Sequence, residues 1–250
     1  MMFSMGAGVP NAGHGAPPEG PDSKPDSKPM GRSDGQGHGH HTPLDGAHQF
    51  PGGHHGNPAE LEGYIHRMEE PGRAEWQKPD EVTARLGLQP GQVACDIGAG
   101  PGYFALRLGR ALGPTGHVWA VDVEPRMLAA LGERVAAQGI RNVTPVLGLP
   151  GDPLLPPASC DLVLVVDTYH HFPDGVLYLR RLAEALRPGG RLVNIDFHKR
   201  ETPVGPPLEH RVAREEFLRQ ARAAGLVVVD EPTLLPYQYF VILRPGAPPR

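Results

Sequence analysis

The sequence is short of the features that mark several large protein classes. Only two cysteines, Cys95 and Cys160, occur in 250 residues. Two thiols cannot build a disulfide scaffold or a cysteine-cluster metal site. Each sits in an apolar, strand-like run, where a thiol is expected to pack as a small hydrophobe. No basic tract stands out, and 24 basic against 28 acidic residues leave a formal charge of −4. That balance gives no support for a nucleic-acid partner. No apolar run reaches the roughly 18 residues of a spanning helix, so no membrane partner is expected. The first residues lack the basic start and apolar stretch of a signal peptide. The expectation is a soluble, cytoplasmic protein.

Glycine and proline, by contrast, are abundant, at 33 and 30 residues. The excess is concentrated at one end: residues 1–58 hold 13 of the glycines, 9 of the prolines and 7 of the 13 histidines. A segment this poor in large apolar residues cannot offset an ordering entropy of roughly 1–2 kcal/mol per residue. It is expected to be a disordered tail. Its clusters Gly37-His38-Gly39-His40-His41 and Gly53-His54-His55 offer incidental metal affinity but no fixed ligand geometry. Residues 59–250 are long enough for one well-buried domain.

In that domain short β-type runs alternate with helical stretches. Strands are expected at 92–97, 117–123, 142–147, 160–166, 191–197, 226–229 and 238–243. Helices are expected at 79–88, 103–112, 124–138, 176–186 and 211–224. The core of the fourth strand, Leu162-Val163-Leu164-Val165-Val166, is apolar without alternation. That predicts burial on both faces of a parallel sheet. The link 230–237 is too short for a parallel crossover of a dozen or more residues, so the last strand should run antiparallel. The fold class is α/β: a doubly wound, seven-stranded, mostly parallel sheet with an antiparallel last strand.

The loop after the first strand reads Asp96-Ile97-Gly98-Ala99-Gly100-Pro101-Gly102-Tyr103. Glycine serves where the chain turns sharply and where a ligand must approach the backbone. A dinucleotide fingerprint needs a third glycine at position 103, which is Tyr103. Pro101 removes an N–H that could hold a diphosphate. Asp96 would repel phosphate and favour a cationic ligand. About twenty residues on, Asp122 ends the second strand, where a carboxylate can accept both ribose hydroxyls. A cation, a close backbone approach and a ribose together describe S-adenosylmethionine.

These motifs carry a family resemblance. From about Trp76 to Arg244 the chain resembles the class I S-adenosylmethionine-dependent methyltransferases. It is similar to the type 11-like small-molecule branch, a broad group that includes quinone-biosynthesis C-methyltransferases. The resemblance rests on Asp96–Gly102, on Ala120-Val121-Asp122, on Asp161–Val166, and on Leu186-Arg187-Pro188-Gly189-Gly190-Arg191-Leu192. It implies S-adenosylmethionine as methyl donor, held by Asp96, Gly98, Gly100, Gly102, Asp122, Val123 and Asp167. It also implies a small-molecule acceptor but does not say which. The stretch Gly148–Asp152 departs from the family pattern, with Leu149 where an acid is common; Asp152 either substitutes or caps a turn.

Methyl transfer from a sulfonium is an in-line displacement that mainly requires alignment and exclusion of water. A base is needed only when the nucleophile arrives protonated. The loop after the fourth strand, Asp167-Thr168-Tyr169-His170-His171-Phe172, offers His170 or His171 as that base. Adjacent histidines usually diverge, so this pair with Asp167 is not expected to hold a metal. Asp196 and His198 lie on the same rim and face the acceptor or satisfy loop backbone. Trp76 serves as a lid or staples the following helix. Two other readings compete with methyl transfer: a non-catalytic cofactor-binding sensor, and an aminopropyl transferase using the decarboxylated cofactor.

Overall fold

The structure is a computed structural model that describes residues 58–246. The expected tail lies outside the described residues, apart from Pro58, which opens the first helix. The chain runs through α1 (Pro58–Met68), α2 (Arg73–Gln77), α3 (Pro79–Arg85), β1 (Val93–Ile97), α4 (Ala105–Leu112), β2 (His117–Asp122), α5 (Pro125–Ala137) and β3 (Val143–Leu147). It continues through β4 (Cys160–Val166), α6 (Gly175–Ala185), β5 (Leu186–Phe197), α7 (Arg214–Ala223), β6 (Leu226–Asp230) and β7 (Gln238–Pro245).

The seven strands form one sheet in the order β3-β2-β1-β4-β5-β7-β6. Strands β1 to β5 pair in parallel, and β7 runs antiparallel to both β5 and β6. The doubly wound reading and the reversed last strand both hold. Leu162, Leu164 and Val166 pack with α3 and α4 on one face; Val163 and Val165 pack with α6 and α7 on the other. That two-sided burial is why β4 reads as an unbroken apolar run. Each such side chain contributes roughly 1.5–3 kcal/mol by leaving water. On α5, Met127 and Leu131 are buried, and Leu128 and Val135 pack at the edge of the core.

Strand order reverses between β1 and β4, because the chain winds outward from β1 in both directions. Open α/β sheets form their ligand crevice at such a point, beyond the carboxyl ends of the strands. The glycine loop after β1 and the histidine loop after β4 therefore meet there.

Three expectations need correction. Strand β5 begins at Leu186, not Arg191, because Arg187–Gly190 stays beside β4 across a register shift between Cys160 and Leu162. Helix α7 begins at Arg214, not Arg211, since Leu208–His210 forms a separate 3-10 turn. Cys95 and Cys160 are not separate small hydrophobes but form a disulfide, with Cα atoms 6.1 Å apart. Both are fully buried on the face covered by α6 and α7. Residue types alone do not reveal that β1 and β4 are neighbours on that face.

Candidate active site

The glycine loop is held by backbone before any side chain acts. Gly98 and Ala99 N–H both donate to the Val121 carbonyl, at 2.8 and 3.0 Å. Gly98, Gly100 and Gly102 all have positive φ, at 70°, 53° and 94°. Side chains rarely adopt that region, so the glycines are a backbone requirement. A Cβ on Gly100 would also come within 2.8 Å of Met68 Cε.

That contact belongs to a roof that the sequence reading missed, although Leu61, Tyr64, Ile65 and Met68 recur at helical spacing. Helix α1 and the turn into α2 lie against the loop. The Arg73 guanidinium sits 3.9 Å from the Tyr103 ring centre and donates to the Met68 carbonyl at 2.8 Å. Arg134 reaches from α5 to Glu69 and to the Pro101 carbonyl. Tyr64 lies within electrostatic reach of Asp167 and Asp122; burial raises its hydroxyl pKa, and those charges add to the shift. Trp76 packs instead on Phe197 at the end of β5, with ring centres 5.4 Å apart.

Asp122 occupies the expected place at the end of β2, with an additional role. Its Oδ2 accepts from Gly100 N–H at 2.8 Å, and its Oδ1 from Glu124 N–H at 2.9 Å. The carboxylate that would meet a ribose also pins the glycine loop to the next turn. Val123 follows, partly exposed on the rim. In the departing stretch, Asp152 caps the turn by accepting from Leu154 N–H at 2.9 Å and pairs with Arg181 at 2.7 Å. Leu149 is half exposed beside it.

Asp96 is buried, and its Oδ2 has no hydrogen-bond partner. Burial first, then the nearby Asp122 charge, raises its pKa from 3.8 to about 7. An acid raised in the folded state stabilises the fold fully below its unfolded pKa. That contribution is lost as pH rises through the folded value. The shift corresponds to about 4 kcal/mol above pH 7. Asp96→Asn, neutral throughout, should therefore melt about 8–16 °C higher at pH 8 and gain less than about half of that at pH 5. Melting curves at the two pH values check this; a variant destabilised at both would refute it.

The loop after β4 is set by Tyr169. Its ring is buried against Phe217 of α7, with centres 4.9 Å apart, in a 3-10 turn over Tyr169–His171. With Tyr169 facing inward, His170 and His171 both border a cavity of about 480 Å³. The two imidazoles do not diverge: their ring centres are 4.1 Å apart, because the tight turn keeps successive side chains close. His170 Nδ1 lies 3.4 Å from Asp196 Oδ2, with the Asp196 side chain fully buried. The other Asp196 oxygen accepts from Phe197 N–H at 2.8 Å. Burial pushes the His170 pKa down. The hydrogen bond and charge of Asp196, joined by Asp167, outweigh that and leave it raised.

Asp167 has positive φ, at 52°, an unusual strain for a non-glycine residue. Its N–H donates to the Ile195 carbonyl at 2.8 Å, and its Oδ1 is buried without a partner. Burial, then the Asp196 charge, raises its pKa to about 6. Ligand-type atoms of Asp167, His170 and Asp196 fall within 4.8 Å of one another, and His171 is not in that group. His198, the first residue after β5, packs edge-on against Tyr239 at 5.8 Å.

Two buried carboxylate oxygens without partners, Asp96 Oδ2 and Asp167 Oδ1, thus flank a glycine cradle with a carboxylate at its rim. That donor set suits a ligand with a positive centre and a ribose. Comparisons with known proteins agree with it. A family profile described as a methyltransferase domain matches residues 94–190. A demethylmenaquinone methyltransferase of Halalkalibacterium halodurans is 30% identical over 129 residues, covering 52% of each chain. A ubiquinone/menaquinone biosynthesis C-methyltransferase of Laribacter hongkongensis is 31% identical over 147 residues, covering 58% of this chain and 56% of its own. The chain spans about half the length of the curated relatives it matches. A solved S-adenosylmethionine-dependent methyltransferase from Aquifex aeolicus is 27% identical, with a TM-score of 0.69. That match covers 72% of this chain and 96% of the other. With the strand order, the glycine cradle and the β2 carboxylate all in register, residues 94–190 match a methyltransferase domain and the fold is that of the class I S-adenosylmethionine-dependent methyltransferases, which the chain resembles.

Proposed function

We propose that the chain transfers a methyl group from S-adenosylmethionine to a small-molecule acceptor, with His170 as general base. The bound sulfonium supplies an electrophilic methyl group. The chain's own residues have three tasks. Asp122 and the glycine loop orient the cofactor's ribose end. Asp96 and Asp167 present buried carboxylates on the side that receives positive charge. Asp196 holds His170 Nδ1, which leaves Nε2 as the ring nitrogen free to take a proton from an acceptor in the cavity.

The observation that carries this reading is the His170–Asp196 pair at the wall of a cavity beside the cofactor crevice. The family relatives named for quinone C-methylation support a small acceptor rather than a macromolecule. The test is release of S-adenosylhomocysteine on incubation with a metabolite extract, followed by fractionation. Cofactor binding without release of product from any fraction would reject methyl transfer in favour of a sensor role. Activity confined to RNA or protein would overturn the acceptor class.

Residues 1–56 are proposed to be dispensable for cofactor binding, on composition alone. A chain starting at Asn57 keeps α1 intact and should bind with unchanged affinity and melt within about 2 °C of the full chain. A tenfold loss of affinity would show that the tail docks.

A further inference from the structure

The cavity beside His170 is walled mostly by polar residues. Lys199 follows β5, and Arg211 and Glu216 come from the segment that leads into and through α7. Its aliphatic wall residues are Val212 and Ala213. A long hydrocarbon chain gains its binding energy by burying apolar surface. Two small side chains offer it little.

The charges are uneven. Arg211 is buried, 5% exposed, yet all its hydrogen bonds go to neutral acceptors. Nε donates to the Pro206 carbonyl at 2.8 Å, and Nη1 to Arg200 at 2.7 Å, His198 at 3.2 Å and the Thr202 hydroxyl at 2.8 Å. Nη2 makes one long contact, 3.3 Å, to the Val204 carbonyl, which leaves it an N–H to spare. No carboxylate pairs with Arg211 among the described residues. Lys199, exposed at the cavity mouth, has no ion pair there either. Of the two acids in the wall, Glu216 is already held by Arg219 and Gln220. Glu209 lies exposed at the rim. Asp167 feels the Arg211 charge only from a distance, so a buried guanidinium bonded to no carboxylate gains charge-assisted hydrogen bonds from an incoming anion.

The geometry points to a small acceptor that carries a carboxylate. Arg211 and Lys199 hold the carboxylate, and the acceptor's reacting hydroxyl faces His170. This rests on the methyl-transfer reading for the reacting end, but the carboxylate site stands on its own residues. A cavity of about 480 Å³ is in the range of sites for metabolites of that size.

Calorimetry on the full chain, saturated with S-adenosylhomocysteine, tests it without relying on turnover. The probes are hydroxybenzoates and hydroxycinnamates, their methyl esters, and a quinol with a long hydrocarbon tail. At least one acid should bind about tenfold or more tighter than its ester. Lys199→Glu should cost that acid a further tenfold or so and change the ester by less than about twofold. Lys199 is exposed and holds no loop, so this variant avoids the unfolding risk of altering Arg211. Equal binding of acid and ester, binding by no acid, or preference for the tailed quinol overturns the inference. Acids that bind as expected but release no S-adenosylhomocysteine when the methyl donor is supplied would confirm the site and reject the chemistry.

Discussion

Asp122→Ala should lower affinity for S-adenosylmethionine and for S-adenosylhomocysteine by roughly 10²–10⁴-fold. Two effects add. The first is direct: hydrogen bonds from ribose hydroxyls to an ionised acceptor are worth about 1.5–3 kcal/mol each at most. The second comes from the fold. The same carboxylate accepts from Gly100 N–H at 2.8 Å and from Glu124 N–H at 2.9 Å. Alanine leaves both donors unpaired and frees a loop whose three glycines give it little intrinsic stiffness. The Asp122→Asn variant keeps one acceptor oxygen and should fall between the native chain and the alanine variant. Because the loss concerns the ribose end, the charged and neutral forms of the cofactor should lose affinity together. Calorimetry with both ligands decides this. Unchanged affinity in the alanine variant, or tighter binding of NAD than of the sulfonium, would remove the assignment of this crevice.

The second large effect concerns chemistry. Once an acceptor is in hand, His170→Ala should reduce turnover by roughly 10²–10⁴-fold while cofactor affinity stays within about twofold. His171→Ala should cost less than about tenfold, because His171 is exposed and its ring lies against His170. A base must be deprotonated to act, so activity should rise with pH through the His170 pKa. That pKa is raised above the ordinary 6.5: burial pulls it down, and Asp196 overcomes that effect. Asp196 is a positioning residue, and it has its own signature. In Asp196→Asn the stabilising charge is gone, so the acidic limb of the profile should move to lower pH as turnover falls. A fall in turnover with no movement of that limb would mean that Asp196 only supports the loop. Full turnover in His170→Ala would withdraw the base and leave methyl transfer standing.

The glycine cradle is legible in sequence because it is a local solution to a local problem. Gly98, Gly100 and Gly102 are dictated by backbone angles that other residues rarely adopt, and the carboxylate of Asp122 follows at a spacing set by one helix and one strand. The burial of β4 is legible for a similar reason, since a strand covered on both faces has no place for polar residues. The packing of helix α1 is not legible. Leu61, Tyr64, Ile65 and Met68 do recur at helical spacing, but that period does not say that Met68 packs against a loop distant in sequence. The pairing of Cys95 with Cys160 escapes a sequence reading because it depends on which strands become neighbours.

What the sequence determined by itself was the seven strands, five of the helices, the mostly parallel sheet and the glycine loop, since each follows from local propensity, periodicity or backbone geometry. The tertiary structure decided which side chains act together. Asp196 reaches His170 across 26 residues of chain because β4 and β5 are adjacent in register. Arg211 gathers carbonyls from the loop after β5 because α7 returns beneath it. Contacts of this kind arise from the strand order and from the crevice it opens, and no residue in isolation carries a signal for them.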